Sequence, residues 1–153
     1  MNGFIEVFLL SLIPTFEGRY AIVYGIGRGY PLWETLLSAS LGVLLLSVVL
    51  PLALPLIDRI MLWLEKTPLR KVAHLYLYYV ERARRKAHPY VERWGFIGLT
   101  IFVAIPLPGT GVWTGALAAY LLGIEKKQTV PALILGGLLS MAITVLPALG
   151  LFG

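Results

Sequence analysis

The chain has 153 residues, of which 58% are hydrophobic and 14% charged, with a formal net charge of +5. With a mean hydropathy of +0.82, this composition belongs to an integral membrane protein rather than a soluble one, and the length leaves room for one membrane domain and little else. Cysteine is absent, which excludes disulfides, thiol metal sites and lipid-modified cysteines.

The start, Met1-Asn2-Gly3-Phe4-Ile5-Glu6, lacks a basic leader, so a cleaved signal peptide is not expected. The first apolar piece, Phe4–Phe16, has 13 residues, about 20 Å as helix and too short to span. It is interrupted by Glu17-Gly18-Arg19, and Tyr20–Gly27 follows as a shorter piece. After a net-neutral loop, Arg28–Glu34, the run Thr35–Ile57 gives 23 residues without a charge. At about 1.5 Å per residue it crosses a hydrocarbon core of about 30 Å. Pro51 and Pro55 are expected to kink it or lie near its end.

Asp58 to Arg93 then carries nine of the thirteen Lys and Arg residues against four acids, a bias that predicts the cytoplasmic side. Thr67-Pro68 is a helix start. Leu69, Val72, Ala73, Tyr76, Val80, Ala83 and Ala87 recur from there at steps of three and four, and His88-Pro89 is predicted to end the run. A basic amphipathic helix of this kind lies in the membrane interface. Its Arg82, Arg84, Arg85 and Lys86 are candidates for contact with anionic lipid head groups, or for positive-inside anchoring alone. Trp33, Trp63 and Trp94 fall at segment ends, as interfacial anchors do.

The second half restates the first. Gly95-Phe96-Ile97 leads to Ile105-Pro106 as Gly3-Phe4-Ile5 leads to Ile13-Pro14, and the break is now Pro108-Gly109-Thr110-Gly111. Phe96–Pro108 and Val112–Gly123 are again too short to span, and Thr129–Phe152 is an uncharged run of 24 residues. Gly42 with Leu50-Pro51 has its counterpart in Gly136 or Gly137 with Leu146-Pro147. Paired, interrupted apolar segments in matching positions are the sequence mark of a transporter-like membrane site. Each pair of short pieces is either a re-entrant hairpin or one discontinuous helix with an unwound middle. The basic Glu125-Lys126-Lys127 turn reaches the cytoplasm only in the first case, so charge favours re-entrant hairpins in two inverted halves with both chain ends outside.

Glu17 and Arg19 are the candidate site pair. Charges at a hairpin tip cost several kcal/mol unless they face a wet cavity or each other. An unwound Glu-Gly-Arg can turn both side chains to one cavity, the carboxylate as a proton carrier and the guanidinium as a fork for carboxylate or phosphate. The bland reading is an ion pair that stitches the halves together. In the second half, a helix starting near Gly111 would aim free N–H groups into the membrane interior, with Pro106, Pro108 and Gly109 shaping the backbone, Thr110 adding a hydroxyl and Trp113 forming an apolar or cation–π wall. The alternative there is a tight packing turn. No Gly-Lys-Ser/Thr follows, so it is not a nucleotide loop. His74 and His88 are the only histidines and pair with no acidic cluster; no triad, metal motif or cofactor fingerprint is visible, and neither an enzyme nor a nucleic-acid binder is expected.

Ile13-Pro14-Thr15-Phe16-Glu17-Gly18-Arg19-Tyr20-Ala21-Ile22, and then Ala104-Ile105-Pro106-Leu107-Pro108-Gly109-Thr110-Gly111-Val112-Trp113-Thr114-Gly115-Ala116, resemble the prokaryotic small multidrug export family. That family is thought to be distantly related to the DedA/VTT superfamily of paired re-entrant hairpins. The resemblance implies proton-coupled export, or flipping of lipid-linked phosphates, with Glu17 and Arg19 as the embedded acid and arginine of the first hairpin. DedA-like proteins also carry arginines in the second hairpin region, and this chain has none there.

The expectation is thus an all-α integral membrane protein of the cytoplasmic membrane of a prokaryote. Residues 1–57 form the first repeat, 58–94 the interfacial linker and 95–153 the second repeat. It needs no cofactor or metal, contacts membrane lipids, handles an amphipathic or lipid-phosphate substrate and protons, and forms a homodimer that covers polar surface. The competing expectation is a non-transporting scaffold that recruits anionic lipids or partners through its basic helix.

Overall fold

A computed structural model describes residues 3–14, 16–106 and 111–152. Among them the chain forms seven helices and no strand: α1 (Gly3–Ser11), α2 (Glu17–Gly27), α3 (Leu32–Leu64), α4 (Arg70–Trp94), α5 (Phe96–Ala104), α6 (Val112–Leu121) and α7 (Lys126–Phe152). Among the described residues, only α3 and α7 are long and apolar enough to cross a membrane. With 33 residues, α3 reaches about 50 Å, so its last turns, with Asp58 and Arg59, run past a core of about 30 Å. Leu37, Leu41, Leu44 and Leu52 of α3, and Leu135, Ile143 and Leu146 of α7, point outward. Such stripes suit lipid, not water.

Helices α1, α5 and α6 are shorter than the apolar pieces that contain them, whereas α2 extends its piece back to Glu17. The residue before a proline is pushed out of the helical region. Accordingly α5 stops at Ala104 and Ile105 is extended, with φ −66° and ψ 120°, before Pro106; α1 stops at Ser11, ahead of Ile13-Pro14. The expected unwinding of Glu17-Gly18-Arg19 is corrected: these residues form the first turn of α2. Only Glu17 departs, with φ 51°, the one non-glycine residue among those described with positive φ. Gly18 serves close approach rather than bending, because a Cβ there would meet Val43 Cγ2 at 2.8 Å and Met141 Sδ at 2.9 Å.

The order short, short, long occurs on both sides of α4, and local contacts recur with it. A shift of 94 residues carries the end of α2 onto the end of α6: Arg28, Gly29 and Tyr30 donate to Tyr24, Ile26 and Gly25, as Leu122, Gly123 and Ile124 donate to Ala118, Tyr120 and Ala119. Both turns pivot on a left-handed glycine, Gly29 at φ 80° and Gly123 at φ 77°, the glycine-closed helix end that satisfies the last carbonyls. The same shift carries Thr35, bonded to the Pro31 carbonyl, onto Thr129, bonded to that of Glu125. It also carries Gly42 onto Gly136. A side chain on Gly42 would strike Ser11, beside the Phe8 carbonyl; one on Gly136 would strike Val103 and the Thr100 carbonyl. Here a shift of 92 relates Phe8 and Ser11 to Thr100 and Val103, so the second half holds two more residues at its break.

Helix α2 packs on α1, α3 and α7, whereas α6 packs mainly on α3 and α4. The stripe of α4 that faces inward is Ala73, Val80, Ala83 and Ala87. It is buried against protein, chiefly α5 and α6, while Val72, Leu75 and Tyr78 remain exposed on the same helix, as does Leu69 just before it. Thr67 closes the preceding turn, its hydroxyl accepting from Leu69 N–H at 3.2 Å, and regular helix begins at Arg70. Pro89 does not end the helix as expected. It lies on the exposed side, where water can serve the carbonyl it leaves unmatched, and Tyr90 beyond it packs on Phe102 at 5.6 Å between ring centroids. The end comes at Gly95, φ 57°, whose N–H bonds the Val91 carbonyl at 2.8 Å.

Candidate functional site

A charge in an apolar interior must be met by an opposite charge or dipole. Glu17 and Arg19 are 4% and 2% exposed, and each meets a helix end of the other half. One Glu17 carboxylate oxygen accepts from Val112 N–H at 2.8 Å and the other from Trp113 N–H at 3.1 Å. These are the first amides of α6, unpaired within their own helix and at its positive end. Gly111 lets the carboxylate in, since a Cβ there would occupy the same space as Glu17 Oε2. Arg19 Nη1 donates to the Ile105 carbonyl at 3.0 Å, at the negative C-terminal end of α5. Its guanidinium also lies 5.1 Å from the Tyr20 ring centroid.

The exchange runs both ways. Trp113 Nε1 donates to the Leu12 carbonyl, just past α1, at 3.1 Å. The shift of 94 that superimposes the ends of α2 and α6 also carries Arg19 onto Trp113. Each half therefore sends a donor from its second short helix to the carbonyl end of the other half's first. The left-handed backbone at Glu17 costs about 1–2 kcal/mol, a strain carried where two amides are capped at once.

Two cavities flank this knot. One of about 10 Å³, lined by Glu17, Gly18, Arg19, Val43 and Ser140 among others, is the size of a single water. The other, of about 330 Å³, is wholly apolar and lies under α4 between Pro14, Leu54, Ile57, Tyr76, Tyr79 and Trp113. Tyr79 shares a 3.0 Å hydrogen bond with Thr114 of α6, and the Tyr76 hydroxyl donates to Asp58 at 3.4 Å.

Of the residues singled out by sequence, Glu17, Arg19, Gly111 and Trp113 meet at one place. Pro14 lines the apolar cavity beside Trp113, and Pro106 follows the carbonyl that Arg19 engages. Pro108, Gly109 and Thr110 lie outside the described residues. The basic residues of α4 stand apart from this knot. Arg84 is tied to Glu81 at 2.6 Å and Arg85 lies 3.8 Å from the same carboxylate, while Arg82 and Lys86 form no ion pair among the described residues.

Sequence reasoning missed Ser140, Tyr79 and a cluster in which Glu6 accepts from the Tyr24 hydroxyl at 3.0 Å and the Tyr30 hydroxyl at 2.5 Å. Glu6 and Tyr24 are far apart in sequence, and only a hairpin register would have joined them.

No curated protein and no solved structure matches the chain. Residues 17–143 match the model of the family described as "Putative small multi-drug export protein". That description points to export rather than catalysis, in keeping with two apolar spans. The match begins at Glu17 and takes in both breaks and most of the chain, so the protein belongs to this small multi-drug export family.

Proposed function

We propose that the chain exports an amphipathic solute across the cytoplasmic membrane of a prokaryote, with Glu17 taking up and releasing a proton as Arg19 engages and releases an anionic group. The carrying observation is that both buried charges sit at the breaks of short helices and hold helix ends of the opposite half. Neutralising Glu17 weakens its hold on α6 and so couples a proton to the fit between the halves. Each pair of short helices is a re-entrant hairpin and the two halves are inverted. The recurrent turns and glycine crossings support this arrangement. The apolar cavity below Trp113 would receive the solute's apolar body, its volume falling at the small end of ligand pockets. A homodimer would cover polar surface that the apolar stripes of α3 and α7 leave to protein rather than lipid.

A second reading rests on Arg82 and Arg85, exposed on a helix that also exposes Val72, Leu75 and Tyr78. These could recruit anionic lipid without transport. Thermal stabilisation of the purified protein by polyprenyl phosphate or by a lipophilic cation, repeated in Arg19→Ala, tests the transport reading. Stabilisation by the phosphate that vanishes in the variant assigns Arg19 to a lipid-phosphate substrate. Stabilisation by the cation that persists assigns the substrate to the apolar cavity, and no response to either favours the scaffold.

A further inference from the structure

A serine buried in a helix ordinarily returns its hydroxyl to a carbonyl three or four residues back. Ser11, Thr35, Ser38 and Thr129 all do so here, to Phe8, Pro31, Thr35 and Glu125, and Thr114 bonds Tyr79. Ser140 does not. Ser140 is 3% exposed and its hydroxyl is buried with no hydrogen-bond partner among the described residues, although its own carbonyl is taken by Thr144 at 2.7 Å. A buried hydroxyl without a partner costs about 1–3 kcal/mol. Ser140 also lines the cavity of about 10 Å³ that Glu17 and Arg19 line. Gly18 and Gly137 keep the walls close, since a Cβ on either would press into Val43.

We infer that this cavity binds one water molecule, held by the Ser140 hydroxyl against the Glu17 carboxylate, and that Ser140 is a positioning residue for the proton on Glu17. The site has the room of one water and the polar partners that a buried water requires. The carboxylate spends an acceptor site of each oxygen on α6 and keeps a further lone pair on each. A water there hydrogen-bonds a free lone pair of the carboxylate while the α6 bonds stay in place, and the Ser140 hydroxyl fixes its orientation beside the site where the Glu17 proton sits. The inference rests on the proton role proposed for Glu17, but the bound water itself can be tested without it.

Infrared difference spectra of the purified protein between acidic and alkaline pH would be recorded in normal and ¹⁸O water, for the wild type, Glu17→Gln, Ser140→Ala and Ser140→Thr. The expected result is a sharp water O–H band that shifts in ¹⁸O water, is lost in Ser140→Ala and returns in Ser140→Thr. The carboxyl C=O band that disappears in Glu17→Gln should shift in Ser140→Ala. An ¹⁸O-sensitive band and a Glu17 band both unchanged in Ser140→Ala would overturn the inference while leaving the role of Glu17 intact. Absence of any Glu17 carboxyl band with the Ser140-dependent water present would instead overturn the proton role alone. A sodium-dependent shift of the Glu17 carboxylate band, lost in Ser140→Ala, would overturn the inference in favour of a cation site.

Discussion

Replacement of Glu17 separates its two structural effects, because its side chain stabilises and its backbone strains. The carboxylate caps Val112 and Trp113 N–H at 2.8 and 3.1 Å. Stripping both caps leaves two buried donors unmet, at about 1–3 kcal/mol each, partly relieved if water enters. Glu17→Ala should therefore cost about 3 kcal/mol, keeping the strain at φ 51° and losing both bonds. Glu17→Gly loses the same bonds but relieves about 1 kcal/mol of strain. Glu17→Gln keeps one acceptor and turns an amide N–H toward the other donor, for about 1–2 kcal/mol. The expected order of stability is Glu, Gln, Gly, Ala, read by thermal unfolding in detergent with intrinsic tryptophan fluorescence, since Trp113 reports on the site directly. Equal stability of Gly and Ala would refute the strain argument. A Gln variant as stable as wild type, together with a mild Ala variant, would refute the capping argument.

Other outcomes follow from neighbouring contacts. Gly111→Ala should displace the Glu17 carboxylate and lower the melting temperature at least as far as Glu17→Gln; a neutral result would show that α6 has another cap. Gly42→Ala drives a methyl group into Ser11 and should cost about 1–3 kcal/mol, largely recovered by adding Ser11→Gly, as measured by the same melt. Tyr76, on α4 outside the spans, has its phenol pushed up to about 12, first by burial and then by Asp58. The folded chain thus keeps this proton to higher pH than the unfolded chain, so its contribution is whole below the ordinary value of 10.0 and is lost as pH rises toward 12. Ultraviolet titration of tyrosinate should lose a component near 12 in Tyr76→Phe; an unchanged curve would contradict it. Neutralising Arg82, Arg84, Arg85 and Lys86 together should weaken binding to anionic vesicles in a salt-sensitive way, by about 1 kcal/mol per exposed charge at most, and leave transport dependent on Glu17.

The spans were legible because lipid imposes length and composition on a helix, and Thr35–Ile57 and Thr129–Phe152 meet both demands. The breaks were legible because Pro14 and Pro106, which disfavour helix in the residue before them, fall beside the Glu17-Gly18-Arg19 and Pro108–Gly111 interruptions. The charge at Glu17 and Arg19 stood out against an apolar background. What those charges hold was not legible, because their partners, Val112, Trp113 and Ile105, offer backbone groups that any residue carries. The left-handed backbone at Glu17 was hidden for the same reason: nothing in a glutamate announces it. Gly18 looked like a hinge because its neighbours are charged, yet its place against Val43 and Met141 is set by packing between distant helices. Of the expected α4 stripe, Ala73, Val80, Ala83 and Ala87 are buried while Leu69 and Val72 are exposed, and its period cannot say whether lipid or protein covers it. Pro89 misled because a proline on a solvent-facing turn can be tolerated where one on a buried turn cannot.

The central claim is that Glu17 carries a proton in transport and is more than a clasp between the halves. Proton movement into proteoliposomes, driven by whichever probe stabilises the purified protein and followed with an internal pH dye, tests it most directly. Wild type and Glu17→Gln would be compared at a temperature where both are shown to be folded. Probe-dependent proton flux in the wild type, lost in a folded Glu17→Gln protein that still binds the probe, is the predicted result. Equal proton flux in the two proteins would contradict it and leave Glu17 a structural cap on α6.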